Sequence, residues 1–177
     1  EFKLSLAIVA HQKGDMVESE KMFKEALNLE YEDAKTWCLL AHVRYSDNQF
    51  EESLKAYMKT LHFWKKGELY EYAHIELGNI YIRLGNFEKA RQTFLKGATL
   101  FPCSSMWLGA GAAFYKLGDM VNAEIALVEG NLLDSQNFKI WAYLALVSIN
   151  TSRMEEAEFA LHQALKNIKD AKLLYEV

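Results

Sequence analysis

A segment that recurs about every 34 residues is the strongest constraint on what this chain can fold into. Its copies read GDMVESEKMFKEAL, NQFEESLKAYMKTL, GNFEKARQTFLKGA, GDMVNAEIALVEGN and SRMEEAEFALHQAL. The successive steps are 34, 37, 33 and 34 residues, and the copies begin at Gly14, Asn48, Gly85, Gly118 and Ser152. A regular spacing of this length is typical of a protein that stacks one supersecondary unit several times.

The hydrophobic spacing in each copy predicts two helices joined by a tight turn. First helices are predicted near residues 2–13, 34–46, 69–83, 104–116 and 138–150. Second helices are predicted near residues 16–29, 50–64, 87–100, 120–132 and 154–167. The turn residues can adopt the left-handed conformation that ends a helix, and they are Gly14, Asn48, Gly85 and Gly118. The residues predicted to cap the following helices are Asp15, Asn86 and Asp119.

Small side chains recur where the two helices of each repeat are predicted to cross. In the first helices these are Ala7, Ala41, Gly78, Gly111 and Ala145. In the second helices they are Ser19, Ser53, Ala90, Ala123 and Ala157. Four positions later, bulky residues are predicted to fill the space between neighbouring repeats: Phe23, Tyr57, Phe94, Leu127 and Leu161. The larger buried residues predicted for the first helices are Leu6, Leu40, Leu77 and Leu144.

The composition is that of a folded helical protein. Hydrophobic residues make up 51% of the chain and charged residues 25%, and Pro102 is the single proline. The chain is predicted to form one domain of five units, near residues 1–33, 34–69, 70–103, 104–137 and 138–169. Residues 170–177 are predicted to start a helix that caps the last unit. Because the chain begins at Glu1 without a methionine, we expect it to be a piece of a longer protein.

Several residues resemble the consensus of the tetratricopeptide repeat, over nearly the whole chain. They are Trp37, Trp107 and Trp141, the Leu77–Gly78 pair, Tyr81, Ala90, Phe94 and Pro102. The segment ELGNIYIRLGNFEKA of the third unit matches that consensus best. The resemblance implies an all-α, right-handed superhelical solenoid of five helix-turn-helix units that binds another protein.

A narrower resemblance covers roughly residues 70 to 177. The segments SSMWLGAGAAFYKLGD, AEIALVEGNLLDSQN and KIWAYLALVSIN resemble the C-terminal repeats of the cilia- and flagella-associated protein seventy family. That family consists of axonemal tetratricopeptide proteins. The resemblance implies a scaffold bound to the axoneme of a cilium or flagellum, on the cytoplasmic side, that influences ciliary beating. Periodicity and composition by themselves do not point to a cilium.

The first helices of such a stack line a concave groove. By helical phase, the residues predicted to bind a partner there are Leu39, His42, Tyr45, Glu76, Asn79, Arg83, Leu108, Ala112, Tyr115, Lys116, Tyr143 and Leu146. Gly109 and Ala112 are predicted to leave room in the middle of this largely apolar channel. An amphipathic helix or an apolar extended segment fits a channel of this kind. That segment belongs either to another protein or to flanking residues of the same protein, and the sequence does not fix the oligomeric state.

A second hypothesis is a chaperone adaptor, or a subunit of a trafficking complex, that binds a peptide in the same groove. Tetratricopeptide domains that hold the acidic C terminus of a heat-shock chaperone use lysine and asparagine at fixed groove positions. Asn79 occupies one of these positions. Ile75 stands where the lysine is needed, and Gly109 stands where the next asparagine is needed, which disfavours the chaperone version.

Catalytic, metal and nucleic-acid sites are not indicated by the sequence. No two of the five histidines have the i, i+4 spacing of a helical metal site, and Cys38 and Cys103 are predicted to be free thiols. The formal net charge of −4 disfavours nucleic acid, because phosphate binding needs a basic surface. No run approaches the ~18 apolar residues of a membrane span. The chain is therefore predicted to be a non-enzymatic interaction protein without cofactor, metal or membrane segment.

Overall fold

The computed structural model describes the backbone of residues 2–63 and 68–175, and the side chains of residues 4–63 and 70–168. Within these residues the chain forms ten α-helices and no strand. The helices are α1 (Phe2–Gln12), α2 (Met16–Leu29), α3 (Ala34–Ser46), α4 (Phe50–Phe63), α5 (Glu68–Arg83), α6 (Phe87–Leu100), α7 (Ser104–Leu117), α8 (Met120–Leu133), α9 (Phe138–Asn150) and α10 (Met154–Tyr175). The all-α prediction is confirmed. The observed helix bounds agree with the predicted ones within one residue, except at the end of α10.

The last helix is longer than its counterparts. It has 22 residues, whereas α2, α4, α6 and α8 have 14 each. The separate capping helix expected from residue 170 is instead the C-terminal part of α10. The preceding stretch KNIKD contains neither glycine nor proline, so no residue there interrupts the helical hydrogen bonds.

The turns between paired helices adopt the predicted left-handed conformation. The φ angles are 84° at Gly14, 73° at Gly85, 81° at Gly118 and 60° at Asn48. Ser152 takes the same role in the last pair, with a φ of 60°. A left-handed residue at this point ends the first helix and lets the chain reverse into the second.

Two of the three predicted helix caps are formed. The Asp15 carboxylate accepts a hydrogen bond from the Glu18 N–H at 3.1 Å, and Asp119 accepts one from the Asn122 N–H at 3.1 Å. The prediction for Asn86 is wrong, because its side chain forms no capping hydrogen bond at the start of α6.

The chain divides into two compact units, residues 1–80 and 81–177. In the first unit, α1 packs on α2, α2 on α3, and α3 on α4. In the second unit, α6 packs on α7, α7 on α8, α8 on α9, and α9 on α10. Most of these contacts join helices that are neighbours in sequence, as in other repeat proteins, and α7 also packs on α9 of the next repeat.

The ten small residues predicted at the helix crossings are all buried. In two pairs a serine also bridges the helices: the Ser19 hydroxyl donates to the Ala7 carbonyl at 2.8 Å, and the Ser53 hydroxyl donates to the Ala41 carbonyl at 2.7 Å. At Gly111, an added Cβ would lie 2.6 Å from Leu127 Cγ. The close approach of the two backbones is therefore confirmed.

The predicted inter-repeat packing is confirmed in the interior and wrong at the two ends. Four of the five bulky residues predicted to lie between repeats are at most 1% exposed: Phe23, Tyr57, Phe94 and Leu127. The equivalent Leu161 is 51% exposed, since α9 is the one described helix that packs extensively on α10. Leu6 is 40% exposed for the corresponding reason, since α2 is the one described helix that packs extensively on α1. Of the other predicted leucines, Leu40 and Leu77 are buried and Leu144 is half-buried.

Candidate partner-binding surface

The side chains predicted to bind a partner lie on the first helix of each pair. We define the first-helix face of the first unit as the accessible side chains of α1, α3 and α5 up to Ile80. In the second unit, the first-helix face comprises the accessible side chains of α7, α9 and the end of α5.

Eleven of the twelve predicted groove residues keep accessible surface. The exposed ones are His42, Arg83, Lys116 and Leu146. The half-buried ones are Leu39, Tyr45, Glu76, Asn79, Leu108, Tyr115 and Tyr143. Leu39 packs against the core cluster of the first unit, so only part of it is available to a partner.

The predicted room in the middle of the groove is already filled. Ala112 is only 5% exposed, because α7 packs against α6, α8 and α9 and is surrounded by them. At Gly109, an added Cβ would lie 2.2 Å from a ring carbon of Phe94. The missing side chain at Gly109 therefore makes space for the Phe94 ring, and the prediction that Gly109 and Ala112 leave space for a partner is wrong.

Histidine and tyrosine side chains dominate the first-helix face of the first unit. The His11 and His42 rings meet edge to face, with centroids 5.5 Å apart. The Tyr72 hydroxyl lies 3.3 Å from His42 Nδ1, within hydrogen-bonding distance. Burial, followed by the neighbouring His42, lowers the pKa of His11. The lowered pKa favours a neutral His11 ring at neutral pH, which suits a partner with apolar and hydrogen-bonding groups.

Two polar side chains lie buried among the groups of this face. Cys38 is 5% exposed, and Tyr57 of α4 is fully buried. The Tyr57 hydroxyl has no hydrogen-bond partner among the residues whose side chains are described. Burial raises the pKa of Tyr57 far above its ordinary value, so the phenol stays protonated. The equivalent residues Phe23 and Phe94 lack this hydroxyl.

The burial of Cys38 predicts slow alkylation. Burial, followed by the negative charge of Glu76, raises the pKa of Cys38 to about 11. Because the thiolate is the reactive form, we expect iodoacetamide to label Cys38 about tenfold faster for each pH unit between 7 and 10. At pH 8, the half-buried Cys103 should react at least about tenfold faster than Cys38 in the native protein. Equal labelling rates, measured by mass spectrometry, would contradict this assignment.

The first-helix face of the second unit is built around a tyrosine pair. The rings of Tyr115 and Tyr143 meet edge to face with centroids 6.0 Å apart. The Asn150 amide donates a hydrogen bond to the Tyr115 hydroxyl at 3.0 Å, which fixes one ring of the pair. Burial, followed by Tyr115, raises the pKa of Tyr143. Leu146 and Ile149, which share α9 with Tyr143, are 40% and 50% exposed and extend the patch with apolar surface.

Two residues on the first-helix face of the first unit, Tyr72 and His11, were not predicted from the sequence. Tyr72 follows the spacing of Glu76, Asn79 and Arg83 at i−4, i−7 and i−11, so the helical period contained the signal. His11 is half-buried, and its ring meets the His42 ring edge to face.

The described part of the chain contains no group of three or more His, Cys, Asp or Glu side chains placed to share a metal ion. Among the described helices, none combines the length and the apolar character needed to cross a membrane.

Comparison with solved structures establishes the fold. The MamA RS-1 ArsTM double mutant superposes with a TM-score of 0.86 at 12% sequence identity, over 96% of this chain and 94% of that one. YrrB, described as a TPR protein with an unusual peptide-binding site, gives a TM-score of 0.76 at 14% identity, over 98% of this chain and 89% of that one. At these identities the likeness shows a tetratricopeptide-repeat fold and nothing about the ligand.

Comparison with protein families gives a closer relationship. Residues 2–177 match the model of the cilia and flagella-associated protein 70 C-terminal domain. Cilia- and flagella-associated protein 70 of Homo sapiens is 32% identical over 178 residues, which cover all of this chain and 16% of that protein. The Macaca fascicularis protein of the same name is 37% identical over 122 residues, which cover 68% of this chain and 12% of that protein. The match over residues 2–177, together with the repeated helix pairs, shows that this chain belongs to the cilia and flagella-associated protein 70 C-terminal domain family.

Proposed function

We propose that this chain is a protein-interaction scaffold of the ciliary or flagellar axoneme and supports the regulation of motility. In this proposal the first-helix face of the second unit binds an amphipathic helix or an apolar extended segment of a partner protein. The fold and the family point to a scaffold rather than an enzyme. A location in the cilium or flagellum is supported by the names of the relatives, of which this chain spans only 16% and 12%.

One observation carries the binding proposal: a tyrosine pair, of which the Tyr115 ring is held by a hydrogen bond, borders exposed aliphatic side chains. Tyr115 is held by Asn150, so its ring loses little conformational freedom when a partner binds. Leu146 and Ile149 offer apolar surface beside it. Rigid aromatic rings next to exposed aliphatic groups are characteristic of the energetically dominant part of protein interfaces.

The chaperone-adaptor alternative gains no support from the structure. Its groove needs polar side chains that hold a carboxylate. Gly109, which stands at one of those positions, is buried beneath the Phe94 ring, and Ile75 has no charge to offer at another.

The substitution Leu146→Glu tests the binding surface in cells. We expect the tagged variant to lose axonemal retention about tenfold after detergent extraction, because a charge placed against an apolar partner must be desolvated. The measurement is the ratio of axonemal to soluble protein in ciliated cells. Leu146 is 40% exposed, so the variant should fold. Ala112→Arg is unsuitable, since Ala112 is buried.

Leu29→Glu provides the matched control, because Leu29 is 82% exposed on α2 of the other unit. It should leave retention unchanged. Equal retention of the two variants would mean that the partner binds elsewhere. A soluble distribution of the unmodified protein in ciliated cells would instead contradict the axonemal location.

A further inference from the structure

An apolar stripe runs along the outer side of α8, away from the first-helix faces. Its residues follow the i, i+4, i+7, i+11 spacing of one helix face. They are exposed to 70%, 55%, 43% and 75%, in the order Val121, Ile125, Val128 and Leu132. A helix in a folded protein normally presents polar side chains on its exposed face, so this stripe needs an explanation.

The other second helices serve as an internal comparison, because they occupy the same place in their repeats. At the four equivalent positions each of them carries three polar side chains. The equivalent residues are Val17, Lys21, Lys24 and Asn28 in α2; Glu51, Lys55, Met58 and His62 in α4; Glu88, Gln92, Leu95 and Thr99 in α6; and Glu155, Phe159, His162 and Lys166 in α10. The fully apolar stripe is therefore a property of α8 and not of the repeat.

The stripe borders a groove between α8 and α10, within the second unit. This outer groove has a volume of about 400 Å³, and Val128 belongs to both the groove and the stripe. Its aromatic wall is formed by Trp141 and Phe159, whose rings meet edge to face at 6.0 Å. The Trp141 N–H is already bound to the Ser135 carbonyl at 2.8 Å, so the ring offers its apolar surface. Phe159 is 58% exposed.

The surroundings of this outer groove are acidic. Three carboxylates line it: Glu124 of α8, and Glu155 and Glu156 of α10. The Arg153 guanidinium pairs with Glu124 at 2.7 Å and with Glu156 at 2.8 Å. Among the described residues, no cation pairs with Glu155. Negative charge thus remains available around an apolar groove.

The equivalent groove of the first unit has the opposite charge. It lies between α2 and α4, has a volume of about 320 Å³, and is lined by four cations and Glu52: Lys24, Arg44, Lys55 and Lys59. Lys59 lies over the Tyr31 ring, with its Nζ 5.4 Å from the centroid. In the second unit the residue equivalent to Lys59 is Gln163, and Phe159 replaces Lys55. The second groove thus lacks two of the cations that line the first.

We propose that the α8 stripe and the outer groove between α8 and α10 bind a basic amphipathic helix of a partner protein. The apolar side of that helix would cover Val121, Ile125 and Val128. Its lysine or arginine side chains would reach the Glu155 carboxylate and the faces of Trp141 and Phe159. This surface is separate from the first-helix face and does not depend on the proposed axonemal function.

Two synthetic helical peptides of about 18 residues test this proposal. Both carry leucine at the i, i+4, i+7 spacing, and the remaining positions are lysine in one peptide and glutamate in the other. We expect the lysine peptide to bind the 177-residue chain with a Kd in the micromolar range, and the glutamate peptide to bind at least about tenfold more weakly. Fluorescence anisotropy of labelled peptide gives both values, and added salt should weaken the lysine complex.

Phe159→Lys places in the second groove the lysine that the first groove has at the equivalent position, Lys55. It should raise the Kd of the lysine peptide at least about tenfold. Val17→Lys is the matched control, because it adds the same charge at a position 81% exposed on α2, and it should change the Kd less than about twofold. The double variant Ile125→Gln with Leu132→Thr, which installs the α6 residues without changing charge, should also weaken binding. Circular dichroism checks that all variants remain folded.

Three results would overturn the proposal. One is equal affinity for the lysine and glutamate peptides. Another is an equal loss of affinity in Phe159→Lys and Val17→Lys, which would mean that only the net charge matters. The third is a concentration-dependent dimer in sedimentation equilibrium that Phe159→Lys dissociates, since the face would then belong to a second copy of this chain.

Discussion

Replacing Phe94 by alanine is expected to lower the free energy of unfolding by about 3–5 kcal/mol. The Phe94 ring is fully buried and lies against Gly109, where a single added methyl group would collide with it. Removing the ring therefore leaves a cavity between α6 and α7 that the rigid crossing of the helices cannot close. Urea unfolding followed by circular dichroism measures the loss.

Leu161→Ala is the matched control for this prediction. Leu161 stands at the equivalent position of the last repeat but is 51% exposed, so its truncation should cost less than about 1 kcal/mol. If both variants lost the same stability, the burial of this position by the following helix would not be what stabilises the repeat.

The substitution Gly111→Leu is expected to destabilise the second unit by about 1–3 kcal/mol through overpacking. Even the first carbon of the new side chain would lie 2.6 Å from Leu127 Cγ and 3.3 Å from the Ala123 carbonyl oxygen. The leucine can move only at the expense of its own packing, and the carbonyl belongs to the backbone of α8. The measurement is again the free energy of unfolding in urea.

A double variant identifies the cause of that loss. Gly111→Leu combined with Leu127→Ala should cost less than the sum of the two single substitutions, because the side chain that blocks the new leucine is absent. Gln92→Leu, on the exposed side of α6, controls for adding a leucine to a helix and should be nearly neutral. Additive losses in the double variant would contradict the predicted collision.

The helices and their crossings could be predicted from the sequence, because both depend on local spacing. Residues in the left-handed backbone conformation end each first helix, and small residues recur where two helix backbones approach each other. These signals repeat five times, so a weak match in one repeat is corrected by the others. Ser152 illustrates this point, since only its place in the repeat indicates a turn residue.

The depth of burial could not be predicted in the same way. Helical phase places Ala112 on the same side as Tyr115, but it does not show that three helices surround α7 there. Gly109 indicates space, and only the position of the Phe94 ring shows what occupies it. Leu161 has the spacing of an interior residue, yet its exposure depends on whether another helix follows.

The exposed Leu161 also affects how the protein opens. An interior repeat is held by the repeats on both sides, so its helices separate only when two interfaces are lost. The α9–α10 pair has one such neighbour within this chain, and the unburied part of Leu161 withholds about 1 kcal/mol of hydrophobic stabilisation from it. Fraying that begins in α10 would expose its amide protons to exchange with solvent while those of α6 to α8 stay protected, so amide exchange should be faster in α10 than in α7.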